Sequence, residues 1–89
     1  DDVCYYRIAI ALQDIKICDS ITGIQKVACY AKIAELQDDF MICAQLDDKD
    51  TCYSYLASFK NDPLICEKVE EAVSKEYCLK YAKEEEKEL

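Results

Sequence analysis

One pattern constrains this chain more than any other feature. A cysteine is followed directly by tyrosine, then four positions on by isoleucine or leucine and next by alanine. Ten positions on comes aspartate, and after it isoleucine directly before a second cysteine. The pattern runs over Cys4–Ile21, Cys29–Leu46 and Cys52–Val69, and it begins again at Cys78. In register stand Tyr5, Tyr30 and Tyr53; Ile8, Ile33 and Leu56; Ala9, Ala34 and Ala57; Asp14, Asp39 and Asp62; and Ile17, Ile42 and Ile65 before Cys18, Cys43 and Cys66. Self-similarity at a fixed spacing is the mark of a repeat architecture, in which each unit buries its apolar face against the next.

The unit reads as a helical hairpin. A cysteine and the branched residue four later share one helix face, and tyrosine and alanine make a second apolar stripe beside it. A helix apolar on two adjoining faces is touched from two sides. The aspartate is an N-cap whose carboxylate accepts from the free amides of the following helix, and Pro63 after Asp62 suits the first helical position, where no amide hydrogen is needed. The spacing predicts helices at about 2–12, 15–22, 25–37, 40–46, 50–60, 63–73 and 75–86, with Gly23 as a left-handed C′ residue ending the second. Asp47-Asp48 makes the next corner. No segment alternates with period two, so no strand is expected. Short linkers force consecutive helices to lie side by side. The expected fold is a single all-α domain over 1–89, a short disulfide-stapled α-solenoid of about 3.5 helix-hairpin units of 23–26 residues. Its units are 1–23, 24–48 and 49–73, with a capping helix at 74–89. That last helix departs from the pattern, since Leu79 follows Cys78, and it runs into a polar tail, Lys83–Glu88, read as solvated.

A domain of 89 residues buries a core worth little net stability, and chains of this size are commonly stapled. Seven cysteines supply the staples and point to an oxidising compartment. Zinc thiolates are the competing use, weakened by the absence of any C-x-x-C pair and of histidine. Bridged α-carbons lie roughly 5.5 Å apart, which across an antiparallel bend requires two cysteines about equally far from the turn. Cys18–Cys29, Cys43–Cys52 and Cys66–Cys78 meet that condition. Cys52 with Cys66, inside one unit, carries an axial mismatch of about 9 Å. Cys4 is then left over, a candidate for an intermolecular link or for a partner cysteine elsewhere, against the reading of a buried free thiol.

The recurring C-Y-x-x-[IL]-A followed by D-x-x-I-C, carried by Cys29-Tyr30, Ile33-Ala34, Asp39 and Ile42-Cys43, resembles cysteine-rich helical repeats of exported proteins in archaea and some bacteria. The architecture is also similar to a shortened tetratricopeptide-type array. The resemblance covers nearly the whole chain and implies a fold and an exported location; it implies no activity.

The remaining residues bound function mainly by exclusion. A net charge of −8 disfavours nucleic acid and anionic membranes, which call for clustered Lys and Arg. No apolar run exceeds five residues, so no membrane insertion is expected. No signal peptide is visible, and an exported chain starting at Asp1 is read as processed. Without histidine, Ser-His and Cys-His nucleophiles are ruled out. Asp38-Asp39 and Asp47-Asp48 are paired carboxylates at corners, where capping and solvation account for them. Glu84–Glu88 lacks the alternating, glycine-containing loop that calcium uses. No cofactor or metal is expected, and no catalysis. Tyr6 and Tyr55 fall off the main stripes and are the aromatics expected to face outward and anchor a partner. The partner is the chain itself, as a homo-oligomer or polymer, or another protein. The expected function is an extracellular or cell-surface structural subunit of a filament, sheath or layer; the alternative is a secreted protein- or peptide-binding module.

Overall fold

In the computed structural model, which describes residues 2–82, long and short helices alternate. The long ones are α1 (Asp2–Leu12), α3 (Ile24–Gln37), α5 (Lys49–Lys60) and α6 (Ala72–Ala82). Between them lie α2 (Ile15–Cys18), α4 (Met41–Ala44) and a 3-10 helix, η1 (Pro63–Lys68). Among the described residues there is no strand. The expected helix limits beyond residue 82, and the Glu84–Glu88 tail, lie outside the described residues.

The bend from each of α1, α3 and α5 into the short element after it is built the same way. Gln13, Asp38 and Asn61 have positive φ of 51°, the left-handed conformation that stops a helix and is costly without a short polar side chain or glycine. The next residue then donates its amide backwards: Asp14 to the Ala9 carbonyl at 3.0 Å, Asp39 to Ala34 at 3.0 Å, Asp62 to Ala57 at 2.9 Å. These bonds satisfy carbonyls that the helix end leaves without partners. The same aspartates open the following element. Asp14 Oδ1 accepts from the Lys16 amide at 2.9 Å, Asp39 Oδ1 from Met41 at 3.0 Å and Asp62 Oδ1 from Leu64 at 3.1 Å. One dipeptide thus ends one helix and starts the next, and the repeated alanine is fully buried in all three copies.

Three expectations are corrected. The second element of each unit is shorter than the apolar spacing suggests, four residues in α2 and α4, and in the third unit it is 3-10 rather than α. Beyond each α-helical turn the chain continues on i to i+3 bonds: Ile21 to the Cys18 carbonyl, Leu46 to Cys43 and Val69 to Cys66. The tighter 3-10 winding brings those three apolar residues inward within few residues. The expected helix over 63–73 breaks at Val69, which is extended (φ −75°, ψ 125°). Gly23, finally, is not a left-handed C′ residue. At φ 66°, ψ −149° it stands at the entrance to α3, in a region reserved essentially for glycine. An added Cβ would meet nothing within 4 Å, so backbone conformation and not crowding demands glycine there.

The long helices form a row: α1 touches α3, α3 touches α5, and α5 touches α6. Gln37 Nε2 at the end of α3 donates to the Gln13 carbonyl at 3.1 Å, and Lys60 at the end of α5 pairs with the Asp38 carboxylate, so the C-terminal ends of α1, α3 and α5 lie together. At the opposite end of the row the Asp50 carboxylate of α5 accepts from the Glu70 and Glu71 amides at 3.0 and 3.1 Å. It caps the entrance to α6 across 20 residues of sequence, which no local pattern announces. Each short element contacts the long helix before it and the one after it, and none touches another short element.

Sulfur closes one of the two contacts of each short element. The bridges are Cys18–Cys29, Cys43–Cys52 and Cys66–Cys78, with α-carbons 5.8, 5.4 and 5.7 Å apart, so every bridge runs from a short element to the next long helix. All six half-cystines are buried, and the described core contains no buried polar or charged residue. A bridge closing so short a loop stabilises mainly by restricting the unfolded chain, by about 2–3 kcal/mol. Replacing Cys43 and Cys52 together by alanine is therefore expected to lower the unfolding free energy by about that amount in a denaturant titration. An unchanged midpoint would contradict it.

Candidate interaction surface

Cysteine and the aliphatic residue four on, with the tyrosine on the adjoining face, make one broad apolar stripe, and in α3 and α5 its cysteine is bridged to the short element before the helix. In α3 and α5 that stripe is buried: Tyr30 and Tyr53 are 6% and 8% exposed, Ile33 and Leu56 0% and 1%. In α1 the same positions are open. Tyr5 is 43% and Ile8 42% exposed, Leu12 one turn further on is 66% exposed, and Cys4 is an exposed free cysteine. The first helix differs from the later ones: α3, α5 and α6 each pack against the short element before them, α2, α4 and η1, whereas among the described elements α1 touches only α2 and α3, both after it. The reading of Cys4 as a buried thiol is corrected accordingly. Tyr5, Ile8 and Leu12 were not singled out from sequence as surface; Tyr5 and Ile8 stand in register with Tyr30 and Ile33, and Leu12 with the polar Gln37 and Lys60.

Tyr30 shows what covering that stripe does. Its hydroxyl donates to Asp19 Oδ1 at 2.5 Å, on the residue directly after the bridged Cys18 of α2, and Lys26 Nζ lies 3.6 Å from the same oxygen. Burial, followed by the hydrogen bond to Asp19 and its negative charge, pushes the Tyr30 phenol up from 10.0 to about 12.

Two grooves open elsewhere along the row. Thr51, Ser54, Tyr55 and Ser58 of α5 with Tyr81 of α6 line one of about 350 Å³. Val3 and Tyr6 of α1 with Gln25 and Ala28 of α3 line another of about 270 Å³. The hydroxyls of Ser54 and Thr51 are already engaged, with the Asp50 carbonyl at 3.0 Å and with Asp48 Oδ1 at 2.8 Å. Tyr6 and Tyr55 do not stand clear of the surface as expected. Both are half-buried and packed on the core because the neighbouring helix of the row occupies their flank, and Tyr55 stacks on Phe59 with centroids 6.0 Å apart. The aromatics that face outward are Tyr5, Tyr77 and Tyr81, the last two stacked at 6.4 Å.

The paired carboxylates have structural partners. Asp38 pairs with Lys60, Asp39 caps α4, and Asp48 accepts from Thr51. Among the described residues no three acidic or thiol side chains converge as a metal site, and no helix is long and apolar enough to cross a membrane. Comparison with protein-family models, with curated proteins and with solved structures returns no match.

Because its phenol pKa is raised on folding, Tyr30 contributes stability that is complete below pH 10 and lost as pH rises toward about 12. A rapid spectrophotometric titration of the protein beside its Tyr30→Phe variant is expected to show a tyrosine step near pH 12 that the variant lacks. Identical curves at that pH would contradict the burial of Tyr30 and its Asp19 contact.

Proposed function

We propose that this is a non-enzymatic structural protein of an extracellular or cell-surface compartment: a subunit of a filament, sheath or surface layer, built as a short disulfide-stapled α-solenoid. Its partners are further copies of itself or another protein, met through the open face of α1. One observation carries the reading. Residues buried in α3 and α5 recur in α1 at the same register and are uncovered there, and an exposed apolar patch of that kind marks an interaction site. Three intramolecular bridges fit an oxidising compartment. A row of helices with open ends lends itself to stacking, because a head-to-tail contact that does not close on itself propagates.

The groove between α5 and α6 favours a second reading, a secreted protein- or peptide-binding module. It combines two tyrosines with a few hydroxyls, the kind of surface that holds an extended or helical peptide.

Light scattering and electron microscopy of the oxidised protein separate the two. Self-assembly predicts large species that grow with concentration and disappear in Ile8→Glu and Leu12→Glu variants, whose far-ultraviolet dichroism and unfolding midpoint stay unchanged. A compact monomer at every concentration would contradict it.

A further inference from the structure

Resting on the proposal that the open face of α1 is an association surface, we infer which partner it is shaped to take: a short helical element of the form D-x-x-I-C-x-x-[ILV], supplied from outside these 89 residues and joined to Cys4 by a disulfide.

The molecule itself specifies the occupant, because it contains the same interface three times. The cysteines equivalent to Cys4 are Cys29, Cys52 and Cys78, and each is bonded to a cysteine on the short element preceding it. That cysteine follows a buried or half-buried isoleucine, Ile17, Ile42 or Ile65, and precedes by three a residue packed into the core: Ile21, Leu46 or Val69. Around Cys4 the receiving half is complete. Tyr5 and Ile8 match Tyr30 and Ile33 position for position, and among the described residues no short element is bonded there. Tyr5 adds a preference. Tyr30 donates to Asp19, which follows the bridged cysteine, so an acidic residue after the incoming cysteine gives the Tyr5 hydroxyl an equivalent acceptor.

A second copy of this chain can stack on the open face without a bond, but it does not supply the bridged element. Its own D-x-x-I-C cysteines, Cys18, Cys43 and Cys66, are each consumed by an internal bridge and fully buried. The element must come from a segment whose corresponding cysteine is still available.

The test uses the full chain and a synthetic peptide with the sequence of residues 14–22, its cysteine carried as the mixed disulfide with glutathione. The Cys4 thiol gives up its proton and its thiolate attacks the peptide sulfur. The bond to glutathione breaks, the Cys4–peptide bond forms, and glutathione leaves as a thiolate that takes up the proton. Attack on the other sulfur gives Cys4–glutathione and free peptide, so the ratio of the two adducts at equilibrium measures non-covalent recognition. The expected ratio favours the peptide by about tenfold or more, equivalent to about 1.4 kcal/mol. Mass spectrometry should locate the adduct on Cys4, and amide exchange around Tyr5–Ala9 should slow. Glutamate in place of Ile17 and Ile21 in the peptide, or Tyr5→Ser with Ile8→Ser in the protein, should return the ratio to near unity.

Equal ratios for native and substituted peptides would overturn the inference, as would accumulation of a Cys4–Cys4 dimer in preference to the peptide adduct. Assembly that persists without peptide preference would sink this partner assignment while leaving the structural role intact. Loss of both would sink the structural role as well.

Discussion

A covalent bond across each bend, from a short element to the next long helix, is the constraint on which the rest of this structure depends. Elements of four to six residues are too short to hold a helical conformation by their own hydrogen bonds, since nucleating a helix costs more than a single turn returns. Tying Cys18, Cys43 and Cys66 to the following long helix holds each short element in the angle between two long ones. There Ile21, Ile42, Ile65 and Val69 become part of the core. The six half-cystines are themselves buried in the core, so the bridges act as core packing as well as crosslinks.

The bends on the other side of each short element, which no bridge crosses, complement the bridges. Each uses a left-handed residue followed by aspartate, so one pair of residues satisfies the carbonyls of the helix behind and the amides of the element ahead. This economy sets how few residues such a bend needs. The Asp50 cap on α6 and the Lys60 and Gln37 contacts at the opposite ends fix the angle between neighbours in the row.

Much of this was legible in the residues. Helix identity followed from the spacing of cysteine, tyrosine and aliphatic positions, and the aspartate caps from their place before an apolar run. The three cysteine pairs followed from symmetry about each turn. What was not legible was set by non-local contacts or by the choice between two local windings. The 3-10 turns after Cys18, Cys43 and Cys66 share an apolar pattern with a short α-helix, so sequence spacing does not distinguish them. Gln13 gives no strong sign of a left-handed conformation. Asp50 reaches the α6 entrance only because the row brings it there. Tyr6 and Tyr55 were read from their own helices, but a neighbouring helix decides their exposure. The open stripe of α1 was legible only as register: Tyr5 and Ile8 recur at the positions of Tyr30 and Ile33, and exposure depends on which elements pack against each helix.

Disulfide mapping tests the central claim most directly. Lysines and Arg7 place every cysteine on a different tryptic peptide, so digestion of the oxidised protein without reduction identifies each linkage by mass alone. The account predicts three linked pairs, joining peptides 17–26 with 27–32, 33–49 with 50–60, and 61–68 with 76–80, and leaving peptide 1–7 with a cysteine outside all three. A bridge confined to one hairpin, such as Cys29 with Cys43 or Cys52 with Cys66, would contradict it.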